Sequence, residues 1–297
     1  MQIRELEVKE LHTVARWLHS MNEQDKHYVA WLASEPNEIF EQIWTLTQFE
    51  EPLAYVAWDQ NQIIGFIGIL PFFDQKLARL LGPFSTQEDS EVIERLWEKT
   101  TLTLQLHFDV VKVACFKTND PLVSFAERHD FSLYNIERTL ALHQSHFSPS
   151  NERNPNIFEL TGEHLHSLQD LHPAGAYYTT EEMVELAKRE ENKLFGYIED
   201  GKLLSYLYYE TITADEGEIC FVNVQPNDRG KGIGTLLIQH ALQYAFYVYG
   251  VKAVTLSVRN QNTQAEQLYQ QLGFREINTV YAFEKNLSDL NSPPLFH

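Results

Sequence analysis

Val222-Asn-Val-Gln-Pro-Asn-Asp-Arg-Gly-Lys-Gly-Ile-Gly-Thr235 is the stretch that decides how this chain is read. Just upstream and into it, Cys220, Val222 and Val224 alternate with Ile219, Phe221 and Asn223, the period of two that marks a strand. Pro226 ends that strand, because proline has no N–H to give a ladder. Asn227 and Asp228 are turn formers. Gly230, Gly232 and Gly234 then bring the backbone round with no Cβ in the way. From Thr235 the period lengthens: Leu237, Ala241, Tyr244 and Val248 fall on one face of a helix. The expectation is a strand, a glycine-rich turn and a helix.

Such a junction is an anion site. The first turn of a helix carries unpaired N–H groups and about half a positive charge. The amides from Gly230 through Ile233 to Thr235 are the ones a ligand would meet, and Arg229 and Lys231 add positive charge beside them. A pyrophosphate is the natural guest. Two other glycine loops fit less well. A P-loop needs Ser or Thr after its Gly-Lys, but Lys231 is followed by Gly232. A dinucleotide fingerprint needs a third glycine three residues after the second. Thr235 and Leu237 stand there instead, and the acidic residue expected about twenty positions on is missing.

A second stretch, Leu256-Ser-Val-Arg-Asn-Gln-Asn-Thr-Gln-Ala-Glu-Gln-Leu-Tyr-Gln-Gln-Leu-Gly-Phe274, carries its own pattern. Val254, Leu256 and Val258 alternate as a buried strand. Asn262 is a helix-capping residue type. Ala265, Leu268, Tyr269 and Leu272 make one helical stripe. Gly273 sits where a helix ends in a left-handed residue.

Arg229-Gly-Lys-Gly-Ile-Gly234 resembles the acyl-CoA loop of the GCN5-related N-acetyltransferase (GNAT) superfamily: Gln or Arg, two residues, Gly, one residue, Gly or Ala. The Asn, Ala, Leu-Tyr and Gly-Phe spacing of the second stretch resembles that family's next signature, in the family's order. The resemblance covers roughly residues 156 to 287. It implies an α/β (α+β) fold: a mixed, mostly antiparallel sheet flanked by helices, with a splay between strands 4 and 5. Those strands are expected over 219–224 and 254–258.

The rest of the chain bears on the same fold. Its 297 residues suit two domains, and its 43% hydrophobic share supports packed cores. Gln144-Ser-His-Phe-Ser-Pro-Ser-Asn-Glu-Arg-Asn-Pro155 is polar and proline-punctuated, so it reads as a linker. A shift of 143 residues matches Phe274 to Phe131, Asn262 to Asn119 and Pro226 to Pro83. The expected division is a first GNAT-like domain over 1–143, the linker over 144–155, a catalytic domain over 156–287 and a tail over 288–297. By the same shift Thr86, Asp89 and Glu91 stand where Arg229, Gly232 and Gly234 do, and Asp130 stands for Gly273. Ser85-Thr-Gln-Glu88 has capping-box spacing, which would satisfy that helix start internally. The first copy is therefore expected to have lost the acyl-CoA loop.

Composition narrows the partners. Net charge is −19, with no basic face in either half, so nucleic acid is not expected. No apolar run reaches membrane-spanning length, and the charged opening Met-Gln-Ile-Arg-Glu does not read as a signal peptide, so a cytoplasmic protein is expected. Cys115 and Cys220 give no disulfide framework and no zinc cluster. Glu163-His-Leu-His166 is not expected to bind metal, since two His two apart on a helix diverge. Monomer and homodimer both remain open.

The resemblance also implies a reaction: transfer of an acetyl group from acetyl-CoA directly to a small-molecule or peptide amine. The backbones of Val222 and Val224 would hold the pantetheine amides at the splay, and an N–H near Val222 would polarise the thioester carbonyl. A lysine-like amine of pKa about 10.4 is neutral about once in 2,500 molecules at pH 7, a deficit of about 4.6 kcal/mol, so a base is needed. Glu218, at the start of the fourth strand, matches the family's glutamate; the bland reading is a solvated strand-end carboxylate. Glu210, Asp215 and Glu216 are weaker candidates. Tyr269 matches the general acid that protonates the departing thiolate, against the reading of a plain core tyrosine. Asn262 would hold the coenzyme, or cap its helix and no more. The stretch 172–183, with Tyr177, Tyr178, Glu181 and Glu182, is expected on the acceptor side. Two alternatives stand beside this: a non-catalytic acyl-CoA sensor, and a transferase using another acyl donor or a thiol-cofactor amine.

Overall fold

The structure is a computed structural model that describes residues 1–87, 90–149, 154–174 and 176–287. The first half runs β1 (Gln2–Glu5), α1 (Leu11–Asn22), α2 (Pro36–Leu46), β2 (Ala54–Asp59), β3 (Gln62–Phe72), β4 (Leu77–Ser85), α3 (Glu91–His107), β5 (Val110–Phe116), α4 (Asp120–Arg128) and β6 (Ser132–His143). The second repeats the order: β7 (Ile157–Glu159), α5 (Leu165–Leu171), α6 (Thr180–Leu186), β8 (Lys193–Glu199), β9 (Lys202–Thr211), β10 (Glu216–Val224), α7 (Ile233–Gln243), β11 (Ala253–Arg259), α8 (Thr263–Gln271) and β12 (Arg275–Asn286).

Two compact units result, one of residues 1–137 with the segment from 278 onward, the other of residues 138–277. The first unit's strands lie in the order β1-β2-β3-β4-β5-β12, the second's in the order β6-β11-β10-β9-β8-β7. Each half thus gives its last strand to the other half's sheet. β12 pairs with β5 over seven residues, from Val280↔Phe116 to Asn286↔Val110. An alternating apolar pattern marks a strand but not the edge it joins, so the repeat said nothing of this exchange.

Both units have the mixed, mostly antiparallel sheet with a splay. β4 runs parallel to β5 only over Leu77–Arg79, and β10 parallel to β11 only over Glu216–Ile219. Beyond those pairs the strands part. Each fourth strand also carries a bulge against the third, after Ile219 in β10 and near Gly82 in β4. In β10 the extra residue is Cys220. It breaks the period of two: Ile219, Val222 and Val224 pack toward α7, while Cys220 and Phe221 pack together on the opposite face. Cys220 therefore does not share a face with Val222, as strict alternation predicts.

The repeat is accurate at its end and slips at its centre. Asn119 and Asn262 both cap their helices, accepting from Leu122 N at 3.2 Å and Ala265 N at 3.3 Å. Asp130 (φ 55°) and Gly273 (φ 97°) are both left-handed. Pro83, however, lies inside β4, whereas Pro226 lies beyond β10. Between strand and helix the first half has only residues 86–90, where the second has 225–232. The first copy's loop is shortened, not merely substituted. Nor does Ser85 cap α3: the capping position is Ser90, and Ser85 instead bonds Gln87 N at 3.0 Å. Glu88 and Asp89 lie outside the described residues, as do 150–153 of the linker, Gly175 and the tail over 288–297.

The linker is anchored where it is described. Phe147 is buried against Phe246, ring centroids 5.4 Å apart, and Gln144 bonds the Lys252 and Phe246 carbonyls. α7 also departs from its predicted stripe. A π-helical turn, Tyr244–Tyr249, rotates the face inward to Ala245 and Phe246 and leaves Val248 72% exposed. Among the described residues no helix is long and apolar enough to cross a membrane.

Candidate active site

α7 begins without a side-chain cap. Its N-cap is Gly232 at φ 82°, preceded by Gly230 at φ 77°. Both are left-handed, and a Cβ at either would meet nothing within 4 Å. These glycines therefore serve the turn, not close packing. The turn leaves the opening amides of α7 facing a cavity of about 470 Å³. Its walls are β10 from Val222 to Val224, the loop with Asp228, Arg229, Gly230 and Gly232, the helix start Ile233, Gly234 and Thr235, and α8 with Asn262, Leu268 and Tyr269. The cavity lies where β10 leaves β11: their ladder stops at Ile219↔Leu256, so the β11 side of Val222–Val224 is open.

Most residues named from the sequence meet here: Val222, Val224, Arg229, Gly230, Gly232, Ile233, Gly234, Thr235, Asn262 and Tyr269. Arg229 is held at the rim, its Nε donating to the Val224 carbonyl at 3.1 Å. Lys231 is not part of the wall. Its ammonium lies 2.6 Å from Asp228 Oδ1, and that hydrogen bond holds its pKa above the ordinary lysine value. The sequence missed Gln264, Gln267 and Gln271, which also line the cavity. Their spacing of three and four on α8 was the available signal.

Tyr269 packs edge-on to Phe274, centroids 5.9 Å apart, and burial pushes its hydroxyl up to about 12. It stays protonated throughout the neutral range.

Glu218 does not line this cavity. It pairs across the sheet with Glu210 on β9 and with Thr255 on β11. It belongs to a second cluster on the α5–α6 face. There the Tyr208 hydroxyl donates to Glu210 Oε1 at 2.6 Å and the Tyr178 hydroxyl to Oε2 at 3.4 Å. Tyr177 stacks on Phe221 with centroids 4.8 Å apart. His172 joins the cluster, its Nδ1 2.6 Å from the Tyr206 hydroxyl and its Nε2 2.8 Å from the Tyr178 carbonyl. Burial, then the charges of Glu218 and Glu210, raise the Cys220 thiol, so it is no nucleophile at neutral pH. Burial and the same carboxylates raise Tyr177 and Tyr178. Glu181 and Glu182 serve α6 instead: Glu182 closes a capping box with Thr179, and Glu181 accepts from Gln169 at 2.7 Å. Among the described residues no group of three or more His, Cys, Asp or Glu is set to hold a metal ion.

An uncapped helix start, two left-handed glycines and a cavity at a parallel splay suit a bound anion. Residues 159–274 match the Acetyltransferase (GNAT) family. The second half of this chain is a GNAT domain. Among curated relatives, a mycothiol acetyltransferase of Beutenbergia cavernae is 35% identical over 78 residues, 26% of each chain. An uncharacterized N-acetyltransferase of Methanocaldococcus jannaschii is 36% identical over 101 residues, 32% of this chain and 44% of its own. This chain thus spans between a quarter and under half of those relatives. A tandem GNAT protein from the clavulanic acid biosynthesis pathway superposes with a TM-score of 0.67 over 96% of this chain and 98% of its own, at 15% identity. The whole chain therefore has the tandem-GNAT fold, of which the sequence repeat is the visible trace.

Proposed function

We propose that the second unit is an N-acetyltransferase that uses acetyl-CoA and a primary amine. The observation that carries this reading is the cradle at residues 229–235: two left-handed glycines that present uncapped helix amides to a cavity at the splay. A diphosphate suits those amides in charge and in donor count. Arg229 would add a cation at the rim, and Asn262 and Thr235 would line the coenzyme's path. The open edge of Val222 and Val224 would take the pantetheine amides as an added strand does. The thioester supplies the acetyl group. The chain supplies a proton acceptor and a proton donor. Glu218, with Glu210 beside it, would take the amine proton on the tyrosine-rich face. Tyr269, held protonated by burial, would give a proton to the departing thiolate.

The amine arrives, on this reading, among Tyr177, Tyr178, Tyr208 and Phe221, where two carboxylates and aromatic faces favour a cation. The curated relatives are named for unlike acceptors, mycothiol and peptidyl-lysine among them, so a thiol-cofactor amine belongs in the panel. Thiol release from acetyl-CoA, followed with a thiol reagent across peptide, polyamine, aminoglycoside and thiol-cofactor amines, tests the reading. Amine-dependent release supports it. Coenzyme binding with no release for any amine would leave a sensor instead.

A further inference from the structure

The two units carry opposite charge at one corresponding point. Counted from the start of each parallel ladder, Glu216↔Ala253 and Leu77↔Val110, the counterpart of Glu218 is Arg79. Across the antiparallel pair, Glu210 faces Glu218 and Leu70 faces Arg79. An acidic pair in one unit is a lone arginine beside a leucine in the other. Arg79 is also the last paired residue before β4 and β5 part.

Its surroundings are those of a receptor without a counter-charge. The guanidinium carbon lies 5.0 Å from the Trp31 ring centroid and 4.9 Å from that of Phe72. Nε is shielded from solvent and has no hydrogen-bond partner, whereas the terminal nitrogens are not so shielded. Among the described residues no carboxylate lies within ion-pair distance of Arg79. Its neighbour in register, Lys112, is already neutralised by Glu284 at 3.1 Å. Further along β5, four residues beyond Lys112, Tyr28 stacks on Phe116 with centroids 3.7 Å apart. A half-buried guanidinium without an anion is unfavourable. Trp31 and Phe72 both lie against the guanidinium, and of its nitrogens Nε alone is buried without a partner, so the terminal fork is the part left to meet a ligand. That fork matches the two oxygens of a carboxylate or a phosphate.

We propose that the first unit binds a small organic anion, a carboxylate or phosphate monoester on a flat apolar body. The anion sits on the Arg79 fork and the body rests on Trp31 and Phe72. This site is separate from the coenzyme cavity and does not depend on the second unit's activity.

All five tryptophans lie within residues 1–97, so fluorescence of the full chain reports on the first unit. The probes are benzoate and phenyl phosphate, with benzamide as the uncharged isostere and acetate and inorganic phosphate as bare anions. One aromatic anion should change the fluorescence saturably, with Kd below about 1 mM, as a fork-and-ring contact predicts. Which of the two binds tighter separates carboxylate from phosphate. Arg79→Met keeps the apolar stem, and the affinity should fall about tenfold or more. Arg79→Lys keeps the charge but not the fork and should fall between; it carries the test if the Met variant folds poorly. Benzamide binding as tightly as benzoate, no saturable response up to about 10 mM, or affinity indifferent to both substitutions would overturn the site.

Discussion

At the residue scale Tyr269, Gly232 and Lys231 carry the sharpest tests. Burial raises the Tyr269 hydroxyl to about 12, so the acid form persists far above neutral pH. A general acid works only while protonated, and general acid catalysis typically contributes about 10²–10⁴-fold. Tyr269→Phe should therefore lower kcat by about a hundredfold or more with coenzyme affinity nearly unchanged. The sign of the shift sets the pH profile: the wild-type kcat should show no falling limb from tyrosine ionisation below about pH 10. A kcat profile of Tyr269→Phe that overlays the wild type would remove the residue from the reaction. Gly232 stands at φ 82° with open space around it, so Gly232→Ala is penalised through the backbone alone, by about 1–2 kcal/mol. That strain falls on the cradle. Calorimetry with coenzyme A should show affinity reduced about tenfold, whereas Lys231→Ala, whose ammonium is already held by Asp228, should bind almost normally.

At the element scale the repeat gives paired experiments. Asn119 and Asn262 cap corresponding helices, yet only Asn119 is buried, at 3% exposure, and it also donates to the Tyr28 carbonyl at 3.2 Å. Asn262→Ala should cost about 1 kcal/mol of stability. Asn119→Ala leaves buried groups unpaired as well and should cost about 2 kcal/mol or more. Denaturant melts of the two variants check the order. The elements also mark where sequence reading succeeds. Local chemistry was legible: the glycines of the cradle, the Asn262 cap and the left-handed Gly273. What escaped depends on partners distant in sequence. The Cys220 bulge arises from pairing with β9, and the π turn at 244–249 lets Ala245 and Phe246 reach the core. Neither leaves a trace in a period of two or 3.6. Glu218 was found as a residue but not as a member of the Glu210 and tyrosine cluster, because strand register decides that.

At the scale of the whole molecule the exchanged strands tie the first unit's folding to the far end of the chain. β5 has β4 on one side for only three residues, and its other side is covered by β12. Phe283 of β12 is 4% exposed and packs in the first unit's core with Val111, Val113 and Cys115. Residues 1–143 alone would lack that strand and leave an apolar edge exposed. Phe283→Ala should accordingly destabilise the first unit by about 3–5 kcal/mol, the usual range for emptying a buried Phe site. Every tryptophan belongs to that unit, so the loss should appear in the fluorescence-detected melt although the substitution lies more than 180 residues beyond the last tryptophan, Trp97. The second unit supplies the control. Leu256 is 2% exposed in its core, and Leu256→Ala should weaken coenzyme binding while moving the tryptophan melt far less. If Phe283→Ala left the tryptophan transition in place, β12 would not belong to the first unit, and the two halves would fold as consecutive segments.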